Sequence, residues 1–110
     1  MIEKYSYSVV WSEEDHAFLA RVAEFPSLAA HGETLADALN EIQAVVGFAV
    51  EDLEDSGEAI PEPLSTRHYS GKFNIRIGSD LHRALVLEAA QQGVSLNQLV
   101  TQKLARRHVA

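Results

Sequence analysis

Gly71-Lys72-Phe73-Asn74-Ile75-Arg76-Ile77 alternates strictly, with Phe73, Ile75 and Ile77 on one face and Lys72, Asn74 and Arg76 on the other. A period of two with branched and aromatic residues on the apolar side predicts a β-strand. Its polar face sets three long hydrogen-bonding side chains about 6.8 Å apart along the strand. Arg and Lys can donate to guanine O6 and N7, and Asn can make a two-point contact with adenine, while a two-stranded ribbon fits the major groove. The apolar face requires cover from another element.

Two short helices are predicted to follow. Ser79 is placed to cap a helix from Asp80 to about Gln92, with Leu81, Ala84, Leu85 and Ala89 as a narrow apolar stripe and Gly93 as its stop. Ser95 and Gln98 form a capping box for the next helix, with Val94 and Leu99 as a hydrophobic staple and Leu96, Leu99, Val100 and Leu104 turned inward. The amides around Ser95, Leu96 and Asn97 suit a phosphate. One strand and two helices bury too little surface to stand alone and leave the strand's ladder groups unmade. Pairing with a second copy gives an antiparallel ribbon backed by four helices, a ribbon-helix-helix dimer presenting Lys72, Asn74 and Arg76 twice. The competing arrangement makes 72–77 a fourth strand of the sheet predicted upstream, with its polar face in solvent.

That upstream sheet starts at Tyr5, where Tyr5, Tyr7, Val9 and Trp11 alternate with Ser6, Ser8 and Val10. Ser12 to His16 is a polar turn, and Ala17 to Phe25 returns as a second strand with Phe18, Ala20 and Val22 on one face, ended by Pro26. Leu28 to His31 reads as a third strand, broken at Gly32. Thr34 then caps a helix whose Leu35, Ala38, Leu39, Ile42, Val45, Val46, Ala49 and Leu53 keep a 3.6-residue period up to Gly57. The fold class is α+β: a β-β-β-α unit with one helix over one sheet face, then the ribbon-helix-helix module. Ser56 to Tyr69, interrupted by Gly57, Pro61 and Pro63, is the joint. The domains are 1–60, a linker at 61–70, and 71–110.

Charge divides the chain in the same place. Residues 1–66 hold fourteen acids against Lys4 and Arg21, a net of −12, and residues 67–110 hold seven bases against Asp80 and Glu88, a net of +5. The first part repels nucleic acid and suits a basic partner, whereas the second can displace counterions from phosphates. With no cysteine among the 110 residues, disulfide, thiolate and iron–sulfur chemistry are excluded. Glu13, Glu14 and Asp15 are adjacent in a turn and should diverge, and His16, His31, His68, His82 and His108 include no pair at helical metal-binding spacing, so no metal site is expected. No G-x-S-x-G turn marks a nucleophile. The expectation is therefore a non-enzymatic protein without a cofactor. The first residues carry no basic segment leading into an apolar run, and no apolar stretch approaches the ~20 residues of a bilayer span. A soluble, cytoplasmic protein with no membrane partner is expected.

The residues K-F-N-I-R-I (72–77), D-L-H-R-A-L (80–85) and A-A-Q-Q-G-V-S-L-N-Q-L-V (89–100) resemble the C-terminal ribbon-helix-helix domain of HicB antitoxins. F-P-S-L-A-A-H-G-E-T-L-A-D-A-L-N-E-I (25–42), with D-L-E-D-S-G-E-A-I-P-E-P (52–63), is similar to the HicB-type domain, a partial ribonuclease H-like fold. Leu28-Ala29-Ala30-His31 departs from the Pro-Gly-Cys-type sequence common there. The resemblance implies a type II antitoxin. Its acidic domain would bind and neutralise a HicA toxin, a basic mRNA-cleaving protein, and its second domain would repress its own operon as a dimer or tetramer. By position, Lys72, Asn74 and Arg76 would read bases and the amides of Ser95, Leu96 and Asn97 would hold phosphate. Two alternatives stand beside it: a metal-dependent nuclease of ribonuclease H type built on Glu13 and Asp15, and a ribbon-helix-helix repressor whose acidic domain senses a small ligand.

Overall fold

The computed structural model describes residues 1–106, so Arg107 and His108, counted above among the bases and histidines, lie outside the described residues. The chain forms two compact units, 1–70 and 71–110. Arg67 thereby falls in the acidic unit, which carries fourteen acids against three bases, and the second unit keeps six bases against two acids.

In the first unit a short 3-10 turn, Ile2–Lys4, leads into strand β1 (Tyr7–Ser12), followed by β2 (Ala17–Val22), β3 (Ala29–Gly32) and helix α1 (Leu35–Ser56). The sheet is antiparallel in the order β1-β2-β3. The register pairs Tyr7 with Val22 and Val9 with Ala20, and Ala20 in turn with Ala30, so the predicted apolar face is continuous across the three strands. Tyr5, Ala20, Val22, Ala30, Ala38, Ile42 and Val46 make the core between that face and α1. β2 ends at Val22, short of the expected Phe25, because the amides of Phe25 and Leu28 turn back onto Val22 O and Phe25 O. Tyr5 precedes β1 but is 4% exposed, its ring edge-on to Phe25 at 5.4 Å.

Thr34 is the N-cap of α1, its Oγ1 accepting from the Asp37 amide at 3.0 Å, a bond worth about 1 kcal/mol in typical helices. Gly57 closes the helix in the left-handed region at φ 72°, where a side chain would be strained. Gly32 is required by close approach: a Cβ there would fall on the Ala38 amide and 2.7 Å from Ala38 Cα, so β3 and the first turn of α1 can meet only without one. Leu35 shares the apolar period yet is 57% exposed. Periodicity sets the direction of a side chain, and in the first turn nothing lies where Leu35 points.

The stretch 61–70, expected to link the two parts, is bonded along the first unit. Tyr5 Oη donates to Pro61 O (2.7 Å), the Leu64 amide to Glu24 Oε2 (2.9 Å), and Ser65 Oγ to Lys4 O (2.7 Å). Glu24 also accepts from the Ser6 amide and Ser6 Oγ, so one carboxylate ties the start of β1 to residue 64. Burial raises the Glu24 pKa, but the amides of Ser6 and Leu64 and the Ser6 hydroxyl outweigh it and hold the carboxyl below the ordinary glutamate value. Burial, reinforced by the Glu24 charge, raises the Tyr5 phenol, which keeps it a donor to Pro61.

In the second unit, α2 (Ser79–Gln92) and α3 (Leu96–Ala105) are the described elements. The N-cap of α2 is Gly78, with Ser79 already helical and making no side-chain cap bond, which corrects the expected Ser79 cap by one position. Gly93 ends α2, as its position after the apolar stripe predicts. Only Ala89 and Leu99 are buried in this unit among the described residues. Leu81, on the predicted apolar stripe, and Leu104, expected to face inward, are 50% and 57% exposed in the single chain. Among the described residues, no helix is long and apolar enough to cross a membrane.

Candidate nucleic-acid interface

Residues 72–77 lie in no strand of the described chain. The expected strand is therefore absent from the single chain, and so is the alternative in which it joins the upstream sheet, which has three strands. The physical reason is the one the pattern carries: a strand exists only with a ladder partner, and the described residues of the second unit supply no second strand. Phe73, Ile75 and Ile77 are 75%, 57% and 36% exposed, and Lys72, Asn74 and Arg76 are exposed as well, so both faces of the segment are open.

Gly71 and Gly78 bracket this segment at φ 84° and φ 86°. It borders a groove of about 890 Å³, closed on the other side by His82 and Leu85 of α2 and by Leu96, Asn97, Val100, Thr101 and Leu104 of α3. Five of the six predicted site residues, Lys72, Asn74, Arg76, Leu96 and Asn97, line it. Ser95 does not. Its Oγ accepts from the Gln98 amide (3.1 Å) and its own amide donates to Gln98 Oε1 (3.0 Å), the reciprocal capping box expected from the sequence. The Ser95 amide is thereby committed, which narrows the expected phosphate cradle to the first-turn amides of Leu96 and Asn97, which have no acceptor within the helix.

His82 and Thr101 also line the groove and were not singled out from the sequence. The signal for Thr101 was present: Asn97, Val100, Thr101 and Leu104 fall at i, i+3, i+4 and i+7 of one helix face. The Arg83–Asp80 pair at 3.7 Å and the Lys103–Glu88 pair at 3.0 Å occupy two of the unit's bases outside the groove. Arg76 stands in neither pair.

The acidic hairpin that motivates the nuclease alternative is held by bonds within the turn and by one to β3. Glu13 accepts from Trp11 Nε1 (2.7 Å), and Asp15 accepts from Ser12 Oγ (3.0 Å) and lies 3.2 Å from His31 Nε2. The bonds to His31 and Ser12 hold the Asp15 carboxyl below its ordinary value. Among the described residues, no group of three or more His, Asp or Glu side chains is placed to hold a metal ion.

Fold and groove together define an α+β chain with an acidic sheet-and-helix unit and a helical unit that has an open, cation-bearing groove. Residues 55–104 match the HicB family, from the last turn of α1 to the last turn of α3. The chain is HicB-like over that stretch, and the three-stranded sheet and most of α1 lie outside the match. No curated protein and no solved structure matches the chain.

Proposed function

We propose that the protein is a cytoplasmic antitoxin of a HicAB-type toxin–antitoxin pair, acting by binding alone. In this reading the acidic unit neutralises a basic HicA-type mRNA-cleaving toxin. The second unit pairs with that of another copy through residues 72–77, and the ribbon so formed reads operator DNA with Lys72, Asn74 and Arg76. The amides of Leu96 and Asn97 hold flanking phosphates.

The observation that carries this reading is the open segment 72–77. A unit with two buried residues among those described exposes three large apolar side chains in strict alternation with Lys, Asn and Arg, inside the part of the chain that matches the HicB family. A second copy supplies a strand for the segment to pair with and cover for Phe73, Ile75 and Ile77. The likeness to HicB supports a toxin–antitoxin role, and the separation of charge supports two partners of opposite sign.

The test is co-expression with the product of the adjacent reading frame, followed by an mRNA-cleavage assay on the purified components. The expected result is a stable complex and inhibition that is complete at stoichiometric antitoxin, with no turnover of RNA by the antitoxin itself. Magnesium-dependent RNA hydrolysis that co-purifies with the protein through stringent removal of contaminants would overturn it.

A further inference from the structure

Helix α1 packs one side on the sheet and turns the other to solvent, and the solvent side has an apolar centre. Phe48 is 68% exposed there. Ala44, one turn earlier, and the adjacent Gly47 surround it with backbone rather than side chain, and Glu51, Asp52 and Asp55 follow at three, four and seven residues on. Gly47 is a second and independent peculiarity. A glycine inside a helix weakens it relative to alanine, and a Cβ built at Gly47 meets nothing within 4 Å. It caps nothing either, because α1 continues through it to Ser56. No packing inside the first unit accounts for either the exposed ring or the missing side chain.

We infer that this face of α1 is a docking surface for a cationic protein element, whose apolar residue packs on Phe48 and whose backbone comes close at Gly47. A glycine and an alanine beside an aromatic ring admit a close-approaching backbone, and the ring is an anchor of the kind that dominates interface energies. The charge selects the occupant. The ion pairs of the described residues include none of Glu51, Asp52 and Asp55. A second copy would set these acids against their like, and nucleic acid would be repelled by them. A basic protein surface satisfies both the ring and the rim. The inference rests on the reading of the first unit as the toxin-binding half, and locates that binding on α1.

The experiment uses the full chain and a purified HicA-type toxin, with binding followed kinetically at several salt concentrations. Phe48→Ala is expected to weaken the complex roughly tenfold or more. Gly47→Ala is expected to raise the melting temperature while weakening the complex several-fold, a combination that a merely structural glycine does not produce. Glu51→Gln with Asp52→Asn should slow association and flatten its salt dependence. Val10→Ser, on the other face of the sheet, is the control and should bind like the parent chain. Unchanged toxin affinity in all three α1 variants, with the parent binding normally, overturns this surface and leaves the antitoxin reading standing. Absence of binding by the parent overturns both. Loss of self-association in Phe48→Ala with toxin affinity intact assigns the face to a second copy and overturns the inference as well.

Discussion

Phe73→Ala is the sharpest perturbation of the proposed ribbon. Phe73 is 75% exposed in the single chain, so of a side-chain area of about 200 Å² some ~150 Å² is open to solvent. Covering it is worth about 4 kcal/mol at ~25 cal/mol per Å², and alanine retains roughly a fifth of that. The loss is about 3 kcal/mol per chain, and a symmetric dimer contains the site twice, giving about 6 kcal/mol, or a weakening of roughly 10⁴-fold in the dimer dissociation constant. Sedimentation equilibrium over a range of protein concentrations at fixed salt measures that constant directly. The first unit has its own core and should retain its thermal transition, which separates lost association from lost folding. A parent chain that is monomeric at tens of micromolar, or a variant whose dimer constant stays within about threefold of the parent's, refutes the burial argument.

Arg76→Ala and Asn74→Ala should each cost ~1–3 kcal/mol of operator binding and relax base preference, with toxin binding intact. Electrophoretic or fluorescence titration at a stated salt concentration measures this, and unchanged affinity after replacing Lys72, Asn74 and Arg76 together rules out the ribbon as the reader. Gly32→Ala should destabilise the first unit by several kcal/mol in urea unfolding, because the new Cβ meets the Ala38 backbone, which cannot swing away as a side-chain tip could. A variant as stable as the parent would show that β3 and α1 can separate freely. Glu24 has a lowered pKa in the folded chain, so its contribution to stability is complete above the ordinary glutamate value and is lost as the pH falls through the lowered one. Glu24→Gln should therefore reduce the acid-side loss of stability of the first unit, measured as melting temperature against pH, and an identical pH profile would exclude Glu24 as the group that ties residue 64 to β1.

Local signals in the sequence determined most of the elements. Thr34 and Gly57 bound α1 because capping is chemistry within one turn of chain, and the Ser95–Gln98 box forms for the same reason. The alternation in β1 and β2 places Val9, Ala20 and Val22 on the helix-facing side, since a strand's side chains must alternate whatever lies around them. Lys72, Asn74, Arg76, Leu96 and Asn97 border one groove, but so do Phe73, Ile75 and Ile77, because without a ladder partner the segment is no strand and its alternation does not separate the two sets in the single chain.

Tertiary structure decided what depends on residues far apart in the chain. The bond from the Leu64 amide to Glu24 joins positions 40 apart, and no periodicity or cap signal in residues 61–70 foretells that they lie along the first unit. The prohibition at Gly32 comes from the approach of α1, which a glycine after a short strand does not announce. Leu35, Leu81 and Leu104 follow an apolar period yet stand in solvent, and Phe48 breaks the period and stands there too. A repeat dictates orientation along one element, while burial requires a second element to be present, and only the assembled chain decides where that element is.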